Sequence, residues 1–131
     1  MHFVSGYKKG NFVAHSQITK FPVSSKYRPG QTVKENLPFV WAMLALEKSL
    51  AELVGTIPLN RVEENLTITH TGYSKDKPQI LTLNKQFSIV QHGKNRKIIF
   101  LNYDATNGDS GAPILQLNEN GYELVGIHVA P

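Results

Sequence analysis

From residue 66 onward the chain is cut into short extended segments by turn residues, and this rhythm constrains the fold more than any other feature. Leu66-Thr67-Ile68-Thr69-His70-Thr71 is β-branched and alternating, and residues 79–91, 97–102, 112–117 and 122–129 have the same strand character. Their spacing of about 8–12 residues is that of an antiparallel sandwich or barrel. His92-Gly93-Lys94-Asn95 and Asn118-Glu119-Asn120-Gly121 have hairpin chemistry between them. With 131 residues, 40% of them hydrophobic, the chain suffices for one domain or two small packed lobes.

The first third is less regular. Ser5-Gly6-Tyr7-Lys8-Lys9-Gly10-Asn11 reads as a hairpin-like connection, residues 12–23 as strand, and residues 24–38 as loop with a turn at Pro29-Gly30. Residues 41–54, rich in Ala, Leu, Glu and Met, suit an amphipathic helix by propensity. Residues 55–65 look like an extended connector.

Composition excludes several classes. Without cysteine there is neither a disulfide nor a thiolate metal site. The longest apolar stretch, residues 39–46, falls far short of the roughly 18 residues that span a membrane. Met1-His2-Phe3 lacks the regions of a signal peptide. The net charge of +4 permits acidic partners, but Lys8-Lys9 and Lys94-Asn95-Arg96-Lys97 are short runs beside turn residues with no interleaved aromatics. They read as solvated loops, so neither nucleic acid nor a membrane is expected as a partner.

One stretch carries chemistry. In Asn107-Gly108-Asp109-Ser110-Gly111-Ala112-Pro113, glycines on both sides of the serine permit a tight turn that presents its hydroxyl as a nucleophile. A bland turn before a strand is the alternative. Val125-Gly126-Ile127-His128-Val129 begins fifteen positions after Ser110. Together with Thr69-His70-Thr71-Gly72-Tyr73, Asp76-Lys77-Pro78 and Tyr103-Asp104, these motifs resemble the second β-barrel of trypsin-like serine proteases, particularly the disulfide-free bacterial branch that includes the glutamyl endopeptidases. Residues 39–59 are similar to the end of the first barrel and the linker, where the family reads Asp-Trp-Ala-Leu-Leu before Gly-x-x-Pro-Leu.

The resemblance implies an all-β, double antiparallel barrel. Residues 1–48 would be a partial first barrel, 49–65 the inter-barrel linker, and 66–131 a second barrel lacking its last strand. It makes residues 41–47 a strand against their local preference. It further implies a serine endopeptidase acting on peptides or proteins without a cofactor, in a secreted or periplasmic setting, and a chain short at both ends.

Residue by residue, the resemblance gives Ser110 the nucleophile's role. The backbone N–H groups of Gly108 and Ser110 would form the oxyanion hole, and Asp109 would support the turn. Asp104, six positions before Ser110, stands where the family pairs with basic side chains, whereas His128 matches the histidine that receives acidic ones. Specificity therefore stays open. Two members of the triad are missing. Val40 occupies the aspartate position before Trp41-Ala42, and the histidine motif would lie upstream of this chain. Val13-Ala14-His15 imitates that motif but stands only 25 positions before Val40, and His15 is expected on a later strand. The two classes in play are therefore an endopeptidase lineage and a catalytically inactive, peptide-binding protease-like domain.

Overall fold

A computed structural model describes residues 1–63, 66–93, 99–102 and 108–129, with residues 33, 85–87, 90–92 and 99–100 given by backbone alone. The chain is mostly β-sheet and divides into two compact units, Met1–Thr56 and Ile57–Pro131.

In the first unit β1 (His2–Ser5), β2 (Ala14–Lys20) and β3 (Ala45–Leu46) form an antiparallel sheet in that order. The β1–β2 connection is the hairpin that its residues announce. Lys8 and Asn11 exchange backbone hydrogen bonds of 2.8 and 3.0 Å around Lys9 and Gly10, whose φ values of 49° and 86° are both positive. Positive φ at both central residues suits the right-handed twist of paired strands.

Residues 24–38 are not wholly loop, because α1 (Val33–Asn36) and a 3₁₀ turn (Leu37–Phe39) interrupt them. Thr32 and Glu35 make the reciprocal cap that starts α1. The Thr32 N–H and hydroxyl donate to Glu35 Oε2 at 3.0 and 2.7 Å, and the Glu35 N–H donates back at 3.4 Å.

The expected strand over residues 41–47 shrinks to Ala45–Leu46 plus an isolated bridge between Val23 and Ala42. The neighbouring segment explains this. Its register against β2 is irregular, and Pro22 accepts from the Met43 N–H at 2.9 Å but has no N–H to return. The alternative helix is confined to one turn, α2 (Ala51–Val54), ended by Gly55 at φ 75°.

The second unit is built on a four-stranded sheet in the order β5-β4-β8-β9, from β4 (Thr67–Gly72), β5 (Thr82–Phe87), β8 (Pro113–Asn118) and β9 (Gly121–Ile127). All its ladders are antiparallel. β6 (Ile89–His92) and β7 (Ile99–Leu101) pair separately. β4 and β8 lie at the centre and supply the core, with Ile68, Thr69, His70, Ala112, Ile114, Leu115 and Gln116 all buried. The β8–β9 hairpin pairs Asn118 with Gly121. Asn118 Oδ1 accepts the Asn120 N–H at 2.8 Å, so its side chain shapes the turn while Gly121 takes the positive φ of 116°.

The connector is fastened to this sheet. Leu59 bridges Leu124 in parallel, flanked by hydrogen bonds from the Leu124 N–H to the Pro58 carbonyl and from the Asn60 N–H to the Leu124 carbonyl. The fully buried Gln116 accepts from the Glu63 N–H at 2.9 Å and donates to the Arg61 carbonyl at 3.1 Å and Glu123 Oε2 at 2.8 Å.

Candidate active site

Ser110 sits at the exposed tip of the turn that leads into β8. Gly108 and Gly111 on either side have φ of 105° and 87°, conformations that side chains disfavour. The turn is closed by the Ala112 N–H donating to the Asp109 carbonyl at 2.9 Å. It is then tied to the end of β9, where the Gly111 N–H donates to the His128 carbonyl at 2.7 Å and the His128 N–H to the Ala112 carbonyl at 2.8 Å. The serine turn and the Gly126-Ile127-His128 segment, separate motifs in the sequence, thus become hydrogen-bonded neighbours.

Asp109 points the other way. It is 1% exposed, and its Oδ1 accepts the hydroxyl of buried Ser74 at 2.7 Å. The resemblance gives this residue the support of the turn. The structure adds a side-chain partner from the loop after β4.

His70 lies on β4 opposite Ile114 of β8 and Asn84 of β5. Its buried imidazole meets the half-buried ring of His128 edge-on, with centroids 5.5 Å apart. Burial holds the His70 pKa below its ordinary 6.5, Asp109 opposes that shift, and His128 reinforces it. His70 is therefore a neutral interior group at physiological pH. Its burial sets it apart from a solvent-facing base.

Gly72 explains how these groups fit. A Cβ there would lie 3.0 Å from Ala112 Cβ, 3.3 Å from Asp109 Oδ1 and 3.7 Å from His70 Cε1. Sequence reasoning singled out Ser110, Gly108, Asp109 and His128, and three of these sit on one turn while His128 sits beside it. It missed His70, Gly72 and Ser74 as site residues. No local pattern marks them as a set, for His70 and Gly72 lie on β4 and Ser74 in the loop after it, and β4 is brought to the turn by its pairing with β8.

Two of the other sequence-based candidates, Val40 and His15, belong to the first unit. Asp104 lies outside the described residues. Val40, 40% exposed, follows the 3₁₀ turn of the first unit. His15 is exposed on β2 of that unit, with its ring 5.5 Å from His2 and 5.4 Å from Phe12. Among the described residues no group of three or more His, Asp or Glu could hold a metal ion, and no helix is long and apolar enough to cross a membrane.

No protein-family model and no curated protein matches this chain.

Proposed function

We propose that the chain derives from trypsin-like serine endopeptidases, with the second unit as the barrel that carries the nucleophile and peptides or proteins as its substrates. The observation that carries this reading is the turn itself: an exposed Ser110 between two positive-φ glycines, over a buried carboxylate and bonded to the strand that ends in His128. In this reading the turn presents the hydroxyl beside the backbone N–H groups that would receive an anion.

The Ser110 Oγ would bond to the carbonyl carbon of a peptide while its proton passes to a general base, in the family a histidine whose motif these residues do not carry. The carbonyl oxygen becomes an anion held by the N–H groups of Gly108 and Ser110. Loss of one such donor costs about two to three orders of magnitude in rate. The anion then collapses, the C–N bond breaks, the amine leaves with the proton, and water releases the acyl group. No metal or cofactor takes part. On the same reading His128 would favour acidic side chains and Asp104 basic ones, so specificity stays open. A secreted or periplasmic location fits such a protein, and neither nucleic acid nor a membrane is among its proposed partners.

A second reading, a peptide-binding domain without catalysis, is favoured by one residue. Val40 stands at the aspartate position, and its aliphatic side chain accepts no imidazole N–H. Replacing that aspartate by a non-carboxylate costs about four orders of magnitude in rate.

Incubation with a mixed peptide library, followed by mass spectrometry of the products and of the retained peptides, separates the two. Cleavage that disappears in Ser110→Ala supports the endopeptidase. Retention of uncleaved peptides, unchanged in Ser110→Ala, supports the binding domain, and neither cleavage nor retention would contradict both.

A further inference from the structure

The loop after β4 meets the Ser110 turn through a side chain, through backbone and through close packing. Ser74 and Asp109, 6% and 1% exposed, are joined by the 2.7 Å hydrogen bond across 35 residues of sequence. Gly108 is pressed against the same loop, for a Cβ on it would lie 2.8 Å from the Lys75 backbone N and 3.3 Å from the Tyr73 carbonyl oxygen. Gly72 packs closely on the other side, where a Cβ would lie 3.0 Å from Ala112 Cβ and 3.3 Å from Asp109 Oδ1. The loop is braced in turn by the Lys77 N–H, which donates to the Ser74 carbonyl at 2.9 Å.

These contacts bear on conformation because glycine has little preference of its own. Gly108 and Gly111 allow the Ser110 turn many backbone arrangements, so something outside the turn must select one. A buried carboxylate can do so. Moving it costs a hydroxyl–carboxylate hydrogen bond, which is among the stronger kinds, and any reorientation of Asp109 rotates the peptide planes on both sides of it. Those planes carry the N–H groups of Asp109 and Ser110 and lie directly beside Gly108.

We propose that Ser74 is a positioning residue for the nucleophile turn. Its hydroxyl anchors the inward-turned Asp109 carboxylate and thereby sets the direction of the Ser110 N–H, so that the anion-binding turn is formed from within the second unit. The proposal rests on reading that turn as an oxyanion-binding element.

The test uses the full chain and its Ser74→Ala, Ser74→Thr and Ser74→Cys variants. Amide hydrogen exchange is followed by NMR, and the rate at which an aryl fluorophosphonate modifies Ser110 is followed by mass spectrometry. In Ser74→Ala the Gly111 and Ala112 amides are expected to exchange about tenfold faster or more, with the β4 amides within about twofold of wild type. Phosphonylation is expected to slow in parallel, Ser74→Thr to restore both, and Ser74→Cys, with its weaker donor, to fall between. Unchanged exchange at Gly111 and Ala112 overturns the proposal. So does acceleration spread evenly over β4 and β8, which indicates lost packing instead of lost positioning. Should Ser74→Ala fail to fold, Ser74→Cys is judged by the same two outcomes. A wild-type chain that is not modified at Ser110 contradicts the functional reading while the exchange result still decides the role of Ser74. Equal phosphonylation of wild type and Ser74→Ala overturns the positioning role alone.

Discussion

Gly108 and Gly111 both hold positive φ, yet replacing them has unequal consequences. At Gly111 no described atom lies within 4 Å of where a Cβ would stand, so Gly111→Ala incurs the strain of a left-handed side-chain residue, about 1–2 kcal/mol. At Gly108 the same strain is joined by a 2.8 Å approach to the backbone N of Lys75, which cannot yield as a flexible side chain would. Urea unfolding should show Gly108→Ala to be the more damaging of the two, and equal losses would contradict the close packing of loop and turn. His70 gives the site a pH dependence of predictable sign. Its folded-state pKa lies below 6.5, chiefly through burial. As pH falls below about 6.5 the unfolded chain therefore takes up a proton that the folded chain refuses, and stability declines. Above that pH the penalty is absent. Unfolding midpoints measured downward from pH 7 should fall less steeply for His70→Val than for wild type.

Among the elements, the β1–β2 hairpin and the Gln116 cluster lend themselves to measurement. Lys9 is the only non-glycine residue of positive φ among the described residues, at 49°. Lys9→Asn, which suits that conformation, should stabilise the chain by a few tenths to about 1 kcal/mol in thermal unfolding. Gln116, fully buried, makes three hydrogen bonds, two of them to the connector at Arg61 and Glu63, and Gln116→Ala should cost about 1–3 kcal/mol. Glu123, whose partners include Gln116 and Asn60, has its pKa lowered by those hydrogen bonds. Its contribution is complete at neutral pH and is lost as pH falls below the usual carboxylate range. The second-unit strands were legible in the sequence because alternation and turn chemistry agree there, as in Thr67–Gly72 and Pro113–Asn118. Residues 41–47 were not. Their pairing depends on a partner segment whose Pro22 lacks an N–H, and no local pattern in residues 41–47 records that.

Across the whole molecule, what was readable followed sequence distance. The Gly108-Asp109-Ser110-Gly111 turn is contiguous and was found from its glycines alone. Ser74 and His70 reach it only through strand pairing and burial, over separations that no local pattern encodes. The two compact units carry separate sheets, and the serine turn with all its described partners belongs to the second. The proposed function requires this turn to present Ser110 as a reactive nucleophile. The most direct measurement of that reactivity is intact-mass analysis and peptide mapping after exposure to an aryl fluorophosphonate, for folded wild type, folded Ser110→Ala and urea-unfolded wild type. A single adduct on Ser110, present only in the folded wild-type chain, is the predicted result. No adduct, or equal modification of the folded and unfolded chains, would contradict it.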